Sequence, residues 1–136
     1  MDLSTLDTSA SAEAGAAMEV VHPTTGAALL HEDGAPITVT LAGEDSDRYR
    51  KAERRASNRR LATAASGRRV RATAEALESD RLELLVACTI DWDGIGFDGG
   101  EKACTPENVR VAYQKLPWLR EQAEAFIMDR ANFLKV

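Results

Sequence analysis

The chain has 136 residues, a net charge of −5 at neutral pH and an aromatic share of only 5%. This length suits one domain with a modest hydrophobic core. The chain has no run of about 18 apolar residues, and its start lacks the basic and apolar regions of a secretory signal. We therefore expect a cytoplasmic protein without a membrane span.

The N-terminal part divides into a polar segment and a β-prone segment. Residues 1–17 are rich in Ala, Ser, Thr and Asp and hold few large apolar side chains, so we expect them to be disordered and dispensable for folding. Residues 18–43 contain two turn signals and an alternating apolar and polar run from Ile37 to Leu41. That alternation is typical of a half-buried strand. We expect a small antiparallel β-ribbon here, packed on helices or on another subunit.

The charges that follow are strongly segregated. The segment from Arg48 to Arg71 holds ten of the 17 Lys and Arg residues but only one of the 22 acidic residues, Glu53. Ser46 is the predicted N-cap of a helix over residues 47–65, which carries most of these arginines. The apolar stripe of this helix is too poor to hold it on a core by burial alone.

A basic helix in an acidic chain favours contact with an acidic surface, either on a partner or on a second copy of the chain. A solvated face is one alternative. Nucleic acid is the other, and it is disfavoured because the domain as a whole is acidic and carries no recognition motif. The candidate partner-binding residues on this helix are Arg54, Arg55, Arg59 and Arg60.

Three more helices are predicted after the basic one. Ser66 and Gly67 are expected to break or bend the chain. A second helix over about residues 70–90 then carries the best apolar face in the sequence. A third begins at Thr105, which is the predicted N-cap, and the last runs from Pro117 to about residue 133.

The predicted elements make up one domain of the α+β class. It is mostly α-helical with a small N-terminal antiparallel β-ribbon. The ribbon occupies residues 18–43 and the helices occupy residues 44–136, while residues 1–17 lie outside the domain. The sequence shows no internal repeat and no further domain boundary.

The histidines and cysteines offer no convincing catalytic site. His22 and His31 lie in or beside predicted turns without a nucleophile nearby in the sequence, so we expect exposed loop residues. Cys88 and Cys104 lack the paired spacing of a metal or redox motif and are expected to be free thiols. We therefore predict that the protein is not an enzyme and binds no cofactor.

The glycine-rich loop over residues 91–101 carries three aspartates, which invites comparison with a calcium-binding loop. The fit is poor, because Ile95 stands where the fifth-position ligand belongs and Lys102 where the closing glutamate belongs. A structured turn with Trp92 and Phe97 tucked inward is the favoured interpretation. No metal site is expected.

Five pieces of the chain form an ordered set of motifs. The most specific is Thr-Ile-Asp-Trp-Asp-Gly-Ile at residues 89–95, followed by Phe-Asp-Gly at residues 97–99. The others are His-Pro-Thr-Thr-Gly at 22–26 with Ile-Thr-Val-Thr-Leu-Ala-Gly at 37–43, Asp-Ser-Asp-Arg-Tyr-Arg at 45–50, Cys-Thr-Pro-Glu-Asn at 104–108, and Pro-Trp-Leu-Arg-Glu-Gln at 117–122 through Asp-Arg-Ala-Asn-Phe-Leu at 129–134. This set, which covers most of residues 19–134, resembles the tail assembly chaperone family of long-tailed bacteriophages.

The resemblance implies a non-enzymatic protein that binds the long tape-measure protein, helps to recruit tail-tube subunits and is absent from the finished virion. Trp92, Phe97 and Trp118 join the four arginines as candidate partner-binding residues, although we also expect both tryptophans to be largely buried. The alternatives are a structural head–tail or tail component of the virion, or a nucleic-acid-binding regulator that uses the segment from Arg48 to Arg71.

Overall fold

The computed structural model describes residues 1–65 and 74–134. In chain order its elements are α1 (Ser9–Ala14), β1 (Ala16–Glu19), β2 (Thr38–Leu41), α2 (Asp47–Ala65), α3 (Ala74–Cys88), β3 (Thr89–Asp93), β4 (Gly96–Phe97), β5 (Gly100–Glu101), α4 (Pro106–Lys115) and α5 (Pro117–Met128). The predicted α+β class is confirmed. The expected break at Ser66 and Gly67, the start of the second predicted helix, and Arg68, Arg69 and Arg71 of the basic segment lie outside the described residues.

The main sheet is antiparallel, with the strand order β1–β2–β3. Val39 in the central strand lies opposite Met18 on one side and Trp92 on the other, and all three side chains are buried. The third strand comes from residues 89–93, so the sheet is not confined to the N-terminal part of the chain. The prediction of a helical part over residues 44–136 missed this strand, and the loop predicted over residues 91–101 contains the β4–β5 hairpin.

The N-terminal segment is ordered, contrary to the expectation of disorder for residues 1–17. Helix α1 packs against Gly43, which has no side chain. The Gly43 N–H donates to the Ala12 carbonyl at 3.0 Å, and Ala12 is buried. The Glu13 carboxylate accepts hydrogen bonds from the Asp47 N–H at 2.7 Å and the Arg48 N–H at 3.4 Å. Polar contacts to a distant part of the chain therefore order a segment that has little apolar surface to bury.

The helices complete the core on the buried face of the sheet. α4 begins as predicted, since the Thr105 hydroxyl accepts a hydrogen bond from the Asn108 N–H at 3.2 Å. α5 ends at Met128, before the predicted end near residue 133, because the Asp129 carboxylate accepts from the Ala131 N–H and starts a short 3-10 turn. The largest fully buried side chains come from the sheet region and both C-terminal helices, and they include Leu41, Val39, Val109, Tyr113, Leu119 and Ile127.

Candidate partner-binding surface

Helix α2 is anchored at its start and exposed along its second half. The Ser46 hydroxyl accepts a hydrogen bond from the Tyr49 N–H at 3.2 Å, as predicted for the N-cap, and itself donates to the Gly43 carbonyl. Tyr49, Ala52 and Ala56 are the buried residues of the helix. Every residue from 57 to 65 is exposed, which agrees with the weak apolar stripe seen in the sequence.

Asp80 of α3 joins the second half of α2 to the rest of the protein. Its two carboxylate oxygens each accept from an arginine: Oδ1 from Arg59 Nη2 at 3.1 Å, and Oδ2 from Arg60 Nη2 at 3.1 Å. Two of the four candidate arginines therefore hold α2 on α3. Arg54 and Arg55 form no ion pair with any residue that the structure describes.

On the α5 side of the α2–α3 pair lies an open groove of about 540 Å³. We call it the apolar groove; its residues include Ala52, Ala56, Leu77, Leu84 and Met128. Leu77 is 44% exposed and Met128 is 52% exposed, although both are large apolar side chains. A smaller recess of about 120 Å³ continues beneath Met128 towards Leu85. The groove therefore presents apolar surface that the described residues leave uncovered.

The arginines at the rim of the apolar groove are paired within the protein. Arg60 binds Asp80 as described above, and Arg81 Nη2 lies 3.6 Å from Glu124 Oε2 of α5. The Arg81–Glu124 pair is largely exposed and contributes little to stability. The guanidinium groups of the groove are thus balanced by carboxylates, whereas Glu53 has no ion-pair partner among the described residues.

On the α4 side of the same two helices lies a second groove, of about 330 Å³. We call it the arginine groove; its charged residues are Arg48, Arg55, Arg59, Arg110 and Glu83. Glu83 is held by Arg110 through two hydrogen bonds of 2.7 and 2.9 Å. Those bonds lower the pKa of Glu83 and raise that of Arg110.

The floor of the arginine groove is a buried hydrogen-bond chain. The hydroxyl groups of Thr89 and Tyr113 lie 2.7 Å apart, and the Thr89 hydroxyl donates to the Leu85 carbonyl at 2.8 Å. Burial raises the pKa of Tyr113 to about 12, so its hydroxyl stays protonated at neutral pH. This floor is neutral, and the charge of the groove comes from the side chains at its rim.

The three aromatic candidates lie apart from both grooves. Trp92 is 9% exposed and its indole Nε1 donates to the Lys102 carbonyl at 2.7 Å, which marks it as a core residue. Phe97 is half-buried on β4, with the Lys102 ammonium 5.7 Å from its ring centroid. Trp118, expected to be largely buried, is half-buried at the start of α5. The structure therefore does not bring the seven candidates together into one site.

A third concave region, of about 640 Å³, lies between the 30–37 loop, the end of β3 and β5. We call it the acidic pocket; its titratable residues are His31, Glu32, Asp33, Asp93 and Glu101. His31 is half-buried, with Nε2 3.4 Å from Asp93 Oδ1. The ring lies against Gly94, where a Cβ atom would come within 2.4 Å of the imidazole, so the site requires glycine.

The described residues contain no group of three or more His, Cys, Asp or Glu side chains that could hold a metal ion. Cys88 is buried, and burial raises its pKa to about 12, so the thiol is not a nucleophile at neutral pH. Asp98 of the glycine-rich loop, which was compared with a calcium-binding loop, makes an ion pair with Lys115 at 3.3 Å.

Within the described part of the chain, no helix is long and apolar enough to cross a membrane.

The sequence did not single out the carboxylates that organise this surface. Asp80, Glu83 and Glu13 contact arginines or N–H groups that lie 20 to 35 positions away in the chain. Spacing along one helix cannot reveal such pairs.

Comparisons of the chain with protein-family models, with curated proteins and with solved structures found no match.

Proposed function

We propose that this chain is a tail assembly chaperone of a long-tailed bacteriophage, as the ordered motifs suggest. In this role it binds the tape-measure protein without catalysing a reaction and helps to recruit tail-tube subunits. It acts in the host cytoplasm and does not remain in the mature virion. The observation that carries the proposal is the apolar groove.

The groove suits a helical ligand. Leu77 and Leu84 are seven residues apart on α3, a rise of roughly 10 Å, which matches anchors two turns apart on a bound amphipathic helix. Leu77 and Met128 would be covered by such a helix. The balanced rim charges leave burial of apolar area as the main source of affinity. This is the property required to keep a long helical protein soluble during assembly.

The test is co-purification of the chain with the tape-measure protein of the same phage. Leu77→Glu and Met128→Glu place a charge in the groove at exposed positions, so the fold should be retained while co-purification falls at least tenfold. Leu61→Glu is the matched control, because Leu61 is 67% exposed on α2 but does not line the groove. If both groove variants bind as the wild type does, the groove is not the binding site.

Mass spectrometry of purified virions separates a chaperone from a structural tail component. A chaperone should be absent from the particle, whereas a head–tail or tail component would be present at a fixed copy number. A nucleic-acid-binding regulator is not favoured, because the chain has a net charge of −5 and its sequence carries no recognition motif.

A further inference from the structure

The arginine groove and the acidic pocket lie at opposite ends of one strand. Thr89, the first residue of β3, lines the arginine groove, and Asp93, its last residue, lines the acidic pocket. Their Cα atoms are separated by roughly 13 Å at the rise of an antiparallel strand. The two sites share no lining residue, and no ion pair between described residues joins them.

The arginine groove has more positive charge than its own carboxylates balance. Four arginines line it, and Glu83, the one carboxylate in its described lining, is engaged by Arg110. Arg59 pairs with Asp80, which lies outside the groove lining, and Arg48 reaches Glu13 only at 3.9 Å. Arg55 has no ion-pair partner among the described residues. The groove thus offers guanidinium donors that can bind further carboxylates.

The acidic pocket has the opposite imbalance. Four carboxylates line it, and no Lys or Arg is among the described lining residues. Glu32 and Glu101 are exposed and form no ion pair with the described residues. Lys102, the neighbour of Glu101, lies over the Phe97 ring. The pocket can therefore accept positively charged side chains of a partner.

We propose that the arginine groove of one copy of this chain binds the acidic pocket of a second copy. The complementary surface is present in every molecule. Each site keeps charges without an ion-pair partner among the described residues, Arg55 in the groove and Glu32 and Glu101 in the pocket. Because the two surfaces differ, the contact is head-to-tail, and repetition of it produces chains or closed rings rather than a two-fold dimer. This inference does not rest on the proposed function, since it follows from the charges of the two sites alone.

The first test is sedimentation of the full-length wild-type protein over a concentration series. In 50 mM NaCl the mass should exceed the 14.7 kDa of one chain and rise with concentration. In 1 M NaCl it should return to the monomer value, because the Debye length shrinks to about 3 Å. A protein that stays monomeric in low salt, or one whose association does not respond to salt, would overturn the proposal.

A charge exchange tests the pairing itself. Arg48→Glu with Arg55→Glu gives the groove three carboxylates and two arginines. Glu32→Lys with Glu101→Lys gives the pocket two lysines and two carboxylates, which removes its net negative charge. Each double variant alone should be monomeric in 50 mM NaCl. An equimolar mixture should associate again, because the unaltered groove of the pocket variant meets the unaltered pocket of the groove variant.

The control keeps the change in charge but moves it to another face of α2. Lys51→Glu with Arg54→Glu alters two exposed residues that line neither groove, and it should associate like the wild type. Circular dichroism establishes that each variant is folded. A mixture of the two exchanged variants that remains monomeric, or a control that loses association as fully as the groove variant, would overturn the proposal.

Discussion

The apolar groove and the arginine groove lie on two sides of the same pair of helices, yet they differ in how their charges are balanced. At the apolar groove, Arg60 and Arg81 each face a carboxylate, from Asp80 and Glu124 respectively. The described lining of the arginine groove has four arginines and one carboxylate, and Arg55 has no ion-pair partner among the described residues. The apolar groove therefore offers mainly apolar area and shape to a partner, whereas the arginine groove also offers a guanidinium group for an ionic contact.

This difference teaches that a basic helix need not have a single role. Residues of α2 on one side of the helix complete a groove with apolar surface, and those on the other side supply unbalanced guanidinium groups. Binding at the apolar groove should be insensitive to salt, and binding at the arginine groove should weaken as salt rises. The two sites can therefore be separated by experiment.

The largest effect is expected at Leu85, a residue that supports both grooves. The Leu85 side chain, 4% exposed, lines the recess below the apolar groove, and its carbonyl accepts from Thr89 in the floor of the arginine groove. Leu85→Ala should lower the free energy of unfolding by about 2–5 kcal/mol, as expected for a buried leucine. Chemical denaturation measures this change in the free energy of unfolding, with Leu61→Ala as the exposed control. A change below about 0.5 kcal/mol, the range of neutral surface substitutions, would show that Leu85 does not support the grooves.

The next effect concerns Asp80, the carboxylate between the grooves. Asp80→Asn keeps the size of the side chain but leaves Arg59 and Arg60 without an ionic partner. We expect unfolding free energy to fall by about 1–2 kcal/mol, because the bonds are charged but partly exposed. Thermal denaturation is the measurement, and Glu75→Gln, which removes an exposed charge from the same helix, is the control. Equal stability of the two variants would contradict a bridging role for Asp80.

Local patterns in the sequence predicted the helices well and the surface poorly. Thr105 followed by proline placed the start of α4 correctly, and the alternation that ends at Leu41 predicted β2. Strand β3 was missed because Thr89–Asp93 continues directly from the apolar run of α3. The two grooves were also missed, since they depend on how distant helices pack, which no local pattern encodes.

A smaller effect is expected at the start of α2, where Glu13 acts as a cap supplied from another helix. Glu13→Ala removes the acceptor of the Asp47 and Arg48 N–H groups and should cost about 1 kcal/mol, like the loss of an N-cap. Glu13→Gln, which keeps an acceptor oxygen, should cost less. Urea denaturation of both variants gives the values.

Deletion of residues 1–15 extends this test to the whole segment. It removes buried Ala12 as well as Glu13, so it should destabilise the protein more than Glu13→Ala does. A deletion variant as stable as the wild type would restore the original expectation that the segment is dispensable. It would also mean that Arg48 enters the arginine groove without support from α1.

The smallest effect is the pH dependence of the Glu83–Arg110 pair in the arginine groove. The hydrogen bonds from Arg110 hold the pKa of Glu83 below its ordinary value of 4.5. Since the folded-state pKa is lowered, the stability that the pair contributes is fully present above pH 4.5 and is lost as the pH falls through the folded-state pKa. A ¹³C NMR titration of the Glu83 carboxyl should therefore show a midpoint below 4.5, and Arg110→Gln should move that midpoint upward. Binding of a helix at the apolar groove serves as the reference measurement, because it buries Leu77 and Met128, which do not titrate. If Glu83 titrates at or above 4.5 in the wild type, Arg110 does not hold it in solution, and the balance of charge in the arginine groove differs from the one described.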